Sequence, residues 1–327
     1  FILGPATIYE QYGDARVIQR NYPAMKKWIE YMRTFLKDGI MPKNTYGDWC
    51  VPPEKPELIH SQDPARQTQG ALLSTAYYHH MLKLMSQYAT IAGQPDGAND
   101  AKDYEALAAQ TKAAFLAKYF NEGAAKFDNG TQTSAILPLA FDMVPNASRT
   151  AVFDGLVRKI EQESGNHVGV GLVGAQWLMR TLSENGRADL AFTIATQKTY
   201  PGWGYMVGKG ATTIWELWNG DTADPAMNSG NHVMQVGDLG VWMYEYLAGI
   251  RPDPANPGFR HFFVKPQPVR GLNFAKATHR SPYGEIRSEW RRAGNGLTLE
   301  VTVPPNTTAT IEAPGADATE AGGLQPT

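Results

Sequence analysis

The sequence predicts a mainly helical chain that ends in a smaller all-β module. Three observations carry this reading. Through residues 1–250 apolar side chains recur with the 3.6-residue period of amphipathic helices. The stretch Arg251-Pro252-Asp253-Pro254-Ala255-Asn256-Pro257-Gly258 then interrupts the pattern as a proline-rich linker. Beyond it the period switches to two, the signature of half-buried strands. The expected division is a helical domain over 1–250 and a β-domain over 251–327.

Taken in order, Pro23 to Lys37 places Trp28, Ile29, Met32, Phe35 and Leu36 on one helical face, with Pro23 suited to a first turn. Residues 67–92 carry a longer pattern through Leu72, Tyr77, Met81, Leu84, Met85, Tyr88 and Ile91. Further helices are expected over 101–119, 132–142, 147–163, 170–184, 187–197 and 237–248. Breakers separate them: Gly93-Gln94-Pro95, Asn129-Gly130, Val144-Pro145-Asn146, Gly165-Asn166, Asn185-Gly186 and Gly249. Helices joined by such short turns pack as antiparallel neighbours. Two long irregular stretches, 39–66 and 199–231, interrupt the series, and long loops in compact domains are often functional. In the C-terminal part Ile286, Ser288 and Trp290 alternate with Arg287 and Glu289. Leu297, Leu299, Val301 and Val303 alternate with Thr298, Glu300 and Thr302, and Thr308 to Glu312 forms a further strand. From Ala313 to Thr327 the pattern is lost among Gly, Ala and Pro.

Composition narrows the function classes. The 327 residues carry a net charge of −2, which provides no electrostatic footprint for nucleic acid or an anionic membrane surface. No apolar run reaches the roughly 18 residues of a membrane-crossing helix. The single cysteine, Cys50, excludes an internal disulfide and any multi-cysteine metal centre. The chain starts Phe1-Ile2-Leu3-Gly4-Pro5 without an initiator methionine, so it is expected to be part of a longer protein.

Several motifs lose their usual meaning in context. Gly169-Val170-Gly171-Leu172-Val173-Gly174 matches G-x-G-x-x-G, but the preceding Leu156 to Ser164 is helical in pattern and the position twenty after Gly174 is Ile194. A dinucleotide site needs a strand before the motif and an acidic residue beyond it. A glycine-rich helix start packed tightly on a neighbour fits better. His79-His80 are adjacent on a helix and point to different sides, which makes a poor metal pair. Neither H-E-x-x-H nor G-x-S-x-G occurs.

The densest chemistry lies in Tyr200-Pro201-Gly202-Trp203-Gly204-Tyr205 and Gly210-Ala211-Thr212-Thr213-Ile214-Trp215-Glu216-Leu217-Trp218-Asn219-Gly220-Asp221. It continues through Met227-Asn228-Ser229-Gly230-Asn231-His232. A single carboxyl group, Glu216, stands between two indoles in an irregular stretch. Indole faces suit the CH faces of a sugar ring, and nearby Asn, Asp and His can bond its hydroxyls. A carboxyl group so placed suits general acid–base work. The same residues also permit a structural reading, with Trp215 and Trp218 as core and Glu216 paired to an arginine. Tyr46-Gly47-Asp48-Trp49, in the other long loop, presents the same two options: an Asp–Trp pair for a sugar, or a loop anchored by a buried Trp.

These runs resemble bacterial α-L-rhamnosidases of glycoside hydrolase family seventy-eight. The resemblance rests on Gly210 to Trp218, Met227 to His232 and Gly47-Asp48-Trp49. It extends to Tyr12-Gly13-Asp14 before Tyr22-Pro23-x-Met25, to Thr131-Gln132-Thr133, and to the Pro304-Pro305-Asn306-Thr307-Thr308 turn. It implies a six-hairpin α/α barrel, incomplete at its N-terminal side here, followed by a β-sandwich. It also implies an inverting hydrolase that removes terminal α-L-rhamnose from glycosides or polysaccharides without a cofactor or metal. Glu216 matches the general base, His232 a histidine that contacts the sugar, and Trp49 a tryptophan lining the rhamnose subsite. Asp48 is carried over beside Trp49, while Trp203, Trp215 and Trp218 are expected in the pocket wall.

The sequence departs from the family at one point. The general acid, a glutamate in an Asp–Glu–Arg segment, has no match in this chain, and the helical patterns are fewer than six hairpins require. Inversion needs two carboxyl groups roughly 6.5–9.5 Å apart. Residues 1–327 alone are therefore expected to be inactive. A barrel glycosidase of other specificity, or a glycan-binding homologue without catalysis, are the alternatives.

Overall fold

The computed structural model describes residues 1–224, 226, 229–294 and 296–314. They form two compact units, one of residues 1–8 and 15–240 and one of residues 9–14 and 241–327.

The first unit is helical. Helix α1 (Leu3–Tyr12), which belongs to this unit through residue 8, and α2 (Arg16–Arg33) lead into α3 (Gly70–Ile91) and α4 (Gly97–Tyr119). A small hairpin of β1 (Phe120–Asn121) and β2 (Lys126–Phe127) precedes α5 (Gln132–Ala140), α6 (Arg149–Arg158), α7 (Leu172–Glu184) and α8 (Ala188–Ala195). Neighbours in sequence pack in space, α2 on α3, α3 on α4, α5 on α6 and α7 on α8, with α5 also against α7. Tyr22 on α2 donates to Asp100 on α4 at 2.8 Å, and Lys26 reaches the same carboxylate at 2.7 Å. Phe141, at the end of α5, meets Tyr77 of α3 at 5.1 Å and Trp177 of α7 at 5.0 Å, while His80 stacks on it at 4.4 Å.

Two expectations fail locally. Helix α2 begins at Arg16, seven residues before Pro23, and buries Ile18, Tyr22, Met25 and Ile29, leaving Trp28 exposed. Proline has no N–H to offer the preceding turn, but a face buried on both sides of it keeps the helix continuous. Within the long loop 199–231, residues Trp203–Gly208 form a short helix, α9. Helix α10 (Val233–Trp242) follows and passes into a π-turn at Met243–Leu247.

The G-x-G-x-x-G run is a packing device. No strand precedes it; α6 and a π-turn at Lys159–Glu163 do. A Cβ on Gly171 would stand 2.1 Å from the Trp49 carbonyl oxygen, and one on Gly174 2.2 Å from the Thr133 hydroxyl. A Cβ on Gly169 would stand 2.6 Å from the Gln132 amide nitrogen. Each glycine thus admits neighbouring atoms at distances no side chain allows.

The second unit is built from strands. In one sheet β3 (Ile250–Pro252) pairs antiparallel with β4 (His261–Val264), which pairs parallel with β8 (Thr308–Ile311). In the other, β5 (Phe274–Ser281), β6 (Gly284–Ala293) and β7 (Gly296–Thr302) form an antiparallel meander. On β6 Ile286, Ser288 and Trp290 are buried as expected, but Glu289 between them is buried too, its carboxyl group held by Arg287 and Arg291, so the alternation is broken there. Ile250, Phe262 and Val264 from the first sheet share a core with Ile286, against which Ala277 and Val301 of the second sheet pack. Trp290 donates its indole N–H to the Leu247 carbonyl at 2.7 Å. Strands β3, β4 and β5 escape the sequence reading because they are short or lack a clean alternation. The expected unpatterned tail from residue 315 onward lies outside the described residues.

Two outcomes follow for stability. Gly171→Ala must displace backbone rather than a flexible side chain. It is expected to cost about 1–3 kcal/mol, read as a lowered thermal midpoint; an unchanged midpoint would contradict the close approach. Burial holds His79 and His80 below their ordinary value of 6.5, each to about 4. The unfolded chain therefore takes up these protons more readily than the folded one, so their share of stability is complete above pH 6.5 and is lost as pH falls toward 4. His80→Phe should flatten the denaturation midpoint across that window, and an identical pH slope would refute the assignment.

Candidate functional site

The long loops converge in the first unit. Residues 214–216 and 229–232 run alongside each other in a strand-like pairing: Glu216 N–H donates to the Ser229 carbonyl at 2.9 Å and His232 N–H to the Ile214 carbonyl at 2.7 Å. This pairing brings Glu216 and His232, sixteen positions apart in sequence, to one place. The imidazole Nδ1 lies 4.0 Å from Glu216 Oε2. The same oxygen accepts the Ser229 N–H at 3.1 Å, and Oε1 accepts the Trp49 indole N–H at 3.1 Å. The Glu216 side chain remains 19% exposed, so its carboxyl group is held from two sides yet reachable by a small reactant. His232 Nε2 is buried and has no hydrogen-bond partner among the described residues. An unpaired buried polar atom costs about 1–3 kcal/mol, a cost that a bound hydroxyl would remove. Met227 and Asn228 of the same motif lie outside the described residues.

Trp49 is the second wall. Its ring meets Tyr46 edge-on at 5.3 Å and His60 at 4.4 Å. With Gln67 and Thr68 these residues line a cavity of about 240 Å³. His60 and Gln67 were missed by the sequence reading, because an irregular loop has no period from which to infer which side chains face inward.

The two loops are tied together from behind. Asn219 donates its amide to the carbonyls of Pro56 and Leu58 at 2.7 and 2.8 Å, and Thr222 donates to the Pro56 carbonyl at 2.5 Å. Cys50, Leu217 and Ala223 form a small buried cluster with Trp49, Ile59 and Leu172 packed on it. Burial pushes the Cys50 thiol well above its ordinary value, which suits packing and not nucleophilic chemistry.

Two expected site residues take other places. Trp218 is fully buried and donates to the Val170 carbonyl at 3.3 Å. Trp203 is 5% exposed and packs edge-on against it at 5.2 Å. Both rings serve the core behind the site instead of its wall, since burying indole surface outweighs leaving it in water. Asp48 lines the same cavity as Trp49, but its side chain is engaged elsewhere. Its carboxyl oxygens are taken up by Thr133 Oγ1 and the N–H groups of Gly171, Val173 and Gly174. Trp215, beside Glu216, keeps part of its surface exposed. Among the described residues, no three His, Cys, Asp or Glu side chains cluster in a way that could hold a metal ion.

Comparison with known proteins gives one consistent result. The bacterial alpha-L-rhamnosidase 6 hairpin glycosidase domain matches residues 1–247, and the bacterial alpha-L-rhamnosidase C-terminal domain matches residues 249–325. An alpha-L-rhamnosidase of Formosa agariphila is 38% identical over 315 residues, covering 95% of this chain and 33% of that protein. One from Streptomyces avermitilis is 33% identical, covering 95% and 28%. The crystal structure of the Streptomyces avermitilis alpha-L-rhamnosidase complexed with L-rhamnose superposes with a TM-score of 0.84 at 32% identity, covering 94% of this chain and 28% of that one. This chain therefore spans about a third of the length of the curated relatives it matches.

Proposed function

The chain belongs to the bacterial α-L-rhamnosidase six-hairpin glycosidase family, and on that premise we propose that it carries the general-base half of an α-L-rhamnosidase active site. The observation that supports this most is the environment of Glu216, a carboxyl group held by the Trp49 indole and faced by His232 at 4.0 Å. L-rhamnose bound to the Streptomyces avermitilis relative points to the sugar.

In the proposed reaction Glu216 accepts a proton from a water molecule. That water attacks the anomeric carbon on the face opposite the leaving oxygen. The glycosidic C–O bond breaks as the new one forms, and a second carboxylic acid gives its proton to the leaving oxygen. The products are the freed alcohol and β-L-rhamnose. Trp49 fixes the carboxylate and presents an apolar face to the ring, and Nε2 of His232, without a partner among the described residues, serves a sugar hydroxyl. The second carboxylic acid comes from outside residues 1–327, since no segment here matches the family's acid motif. The division into a catalytic helical domain over 1–250 and a β-domain over 251–327 belongs to the same proposal.

The native protein that carries this chain, given an aryl α-L-rhamnoside, is expected to release β-L-rhamnose first, seen by proton NMR before mutarotation. Initial release of the α-anomer would remove the inverting mechanism. Glu216→Gln should lower kcat by about 10²–10⁴-fold while the Kd for L-rhamnose changes little; near-normal turnover would sink the base assignment. His232→Ala is expected to weaken L-rhamnose binding as well as turnover, and calorimetry showing an unchanged affinity would exclude it from the subsite.

A further inference from the structure

Asp48 sits immediately before Trp49 and is buried, with its carboxyl oxygens bonded to α5 and to the start of α7. Oδ2 accepts from the Thr133 hydroxyl at 2.5 Å and from the Gly171 N–H at 2.9 Å. Oδ1 accepts from the N–H groups of Val173 and Gly174, both at 3.0 Å. A carboxylate offers about four lone-pair directions, and four donors fill them. Three of those donors are backbone N–H groups, one of the N-cap residue Gly171 and two of the first turn of α7, which cannot rotate away. In the next residue the Trp49 carbonyl accepts the Leu172 N–H at 2.7 Å. The loop is therefore pinned through two adjacent residues by four hydrogen bonds to the start of α7 and one to α5. Gly171 makes the approach possible, because any Cβ there would collide with the carbonyls of both Asp48 and Trp49.

The other end of Trp49 is the indole N–H on Glu216. The chain of contacts thus runs from the α7 N-terminus through Asp48 to the Trp49 backbone, and from the Trp49 ring to the carboxyl group. We propose that Asp48 is a positioning residue for the active site: it registers Trp49 against Glu216, and it does not bind sugar. This inference rests on the role given above to Glu216 and Trp49. Burial pushes the Asp48 carboxyl upward while its four hydrogen bonds pull the other way. Asn at this position cannot substitute. Whichever way its amide is turned, the NH₂ group faces either Gly171 N–H or the pair from Val173 and Gly174, and donor then meets donor.

The test uses Asp48→Asn in the native protein carrying this chain, with two readouts. Hydrogen exchange of the Trp49 indole N–H, assigned by Trp49→Phe, should accelerate by about tenfold or more. The Trp177 indole, which donates to Tyr77 at 3.0 Å on the same unit, should change less than roughly twofold. On an aryl α-L-rhamnoside kcat should fall by about tenfold or more while KM stays within roughly threefold. Unchanged exchange at Trp49 would overturn the proposal. So would equal acceleration at Trp49 and Trp177, which marks general loosening, or a rise in KM alone, which marks a sugar contact. If wild-type protein turns over no rhamnoside, the function proposed above fails, and the exchange readout still decides the role of Asp48. Should Asp48→Asn not fold, Thr133→Val removes a single donor and should give the same selective acceleration at smaller amplitude.

Discussion

A buried carboxyl group with four donors governs the first unit. Asp48 caps the N-terminus of α7 from 123 to 126 residues away in sequence, using the N–H groups that the helix itself cannot satisfy. Most helix caps are local, and the capping oxygen comes from the residue at the N-cap position. Here that residue is Gly171, which has no side chain to offer. The helix start and the loop are consequently interdependent. Without the loop, α7 begins with orphaned donors; without α7, the buried carboxyl group keeps only the Thr133 hydroxyl of its four donors, and each lost bond to a buried group costs about 1–3 kcal/mol.

Helix α5 is the second partner in this arrangement. Thr131, Gln132 and Thr133 at its start are all buried, and each side chain reaches a different segment. The Thr131 hydroxyl meets that of Thr68 at 2.6 Å. The Gln132 amide bonds Ser164 and accepts the Gly169 N–H. Thr133 completes the set on Asp48. Three consecutive polar residues thus hold the loop before α3, the turn before α7 and the loop of Trp49. Buried polar groups with every partner in place fix one geometry, whereas apolar packing alone tolerates several. That rigidity bears on function, because a misplacement of about 1 Å in a catalytic constellation can cost 10²-fold in rate.

The second unit follows different physics. Its two sheets bring Ile250, Phe262 and Val264 together with Ile286, a non-directional apolar core. Polar groups at its edge find backbone partners, as with Ser288 on the Ala248 carbonyl. Arg287 and Arg291 flank Glu289 and hold its carboxyl group down to about 2. Strand alternation is enough to specify such a core, which explains why β6 and β7 are legible in the sequence.

Residue order alone determined the class of fold and singled out the stretch proposed to carry the chemistry. Period 3.6 and period 2 are local properties, fixed by which face of an element is buried, so they survive in one dimension. The run around Glu216 was equally legible, because a carboxyl group among indoles is distinctive wherever it occurs. What only the tertiary structure decided is which of those residues face the site. Asp48 and Trp49 are adjacent, yet one closes a helix and the other reaches Glu216. Trp215 and Trp218 flank the same carboxyl group, yet Trp218 is core. In an irregular loop no period links sequence position to side-chain direction. Direction is set by hydrogen bonds to partners more than a hundred residues away, and by glycines such as Gly171 whose missing Cβ has meaning only once its neighbour is in place.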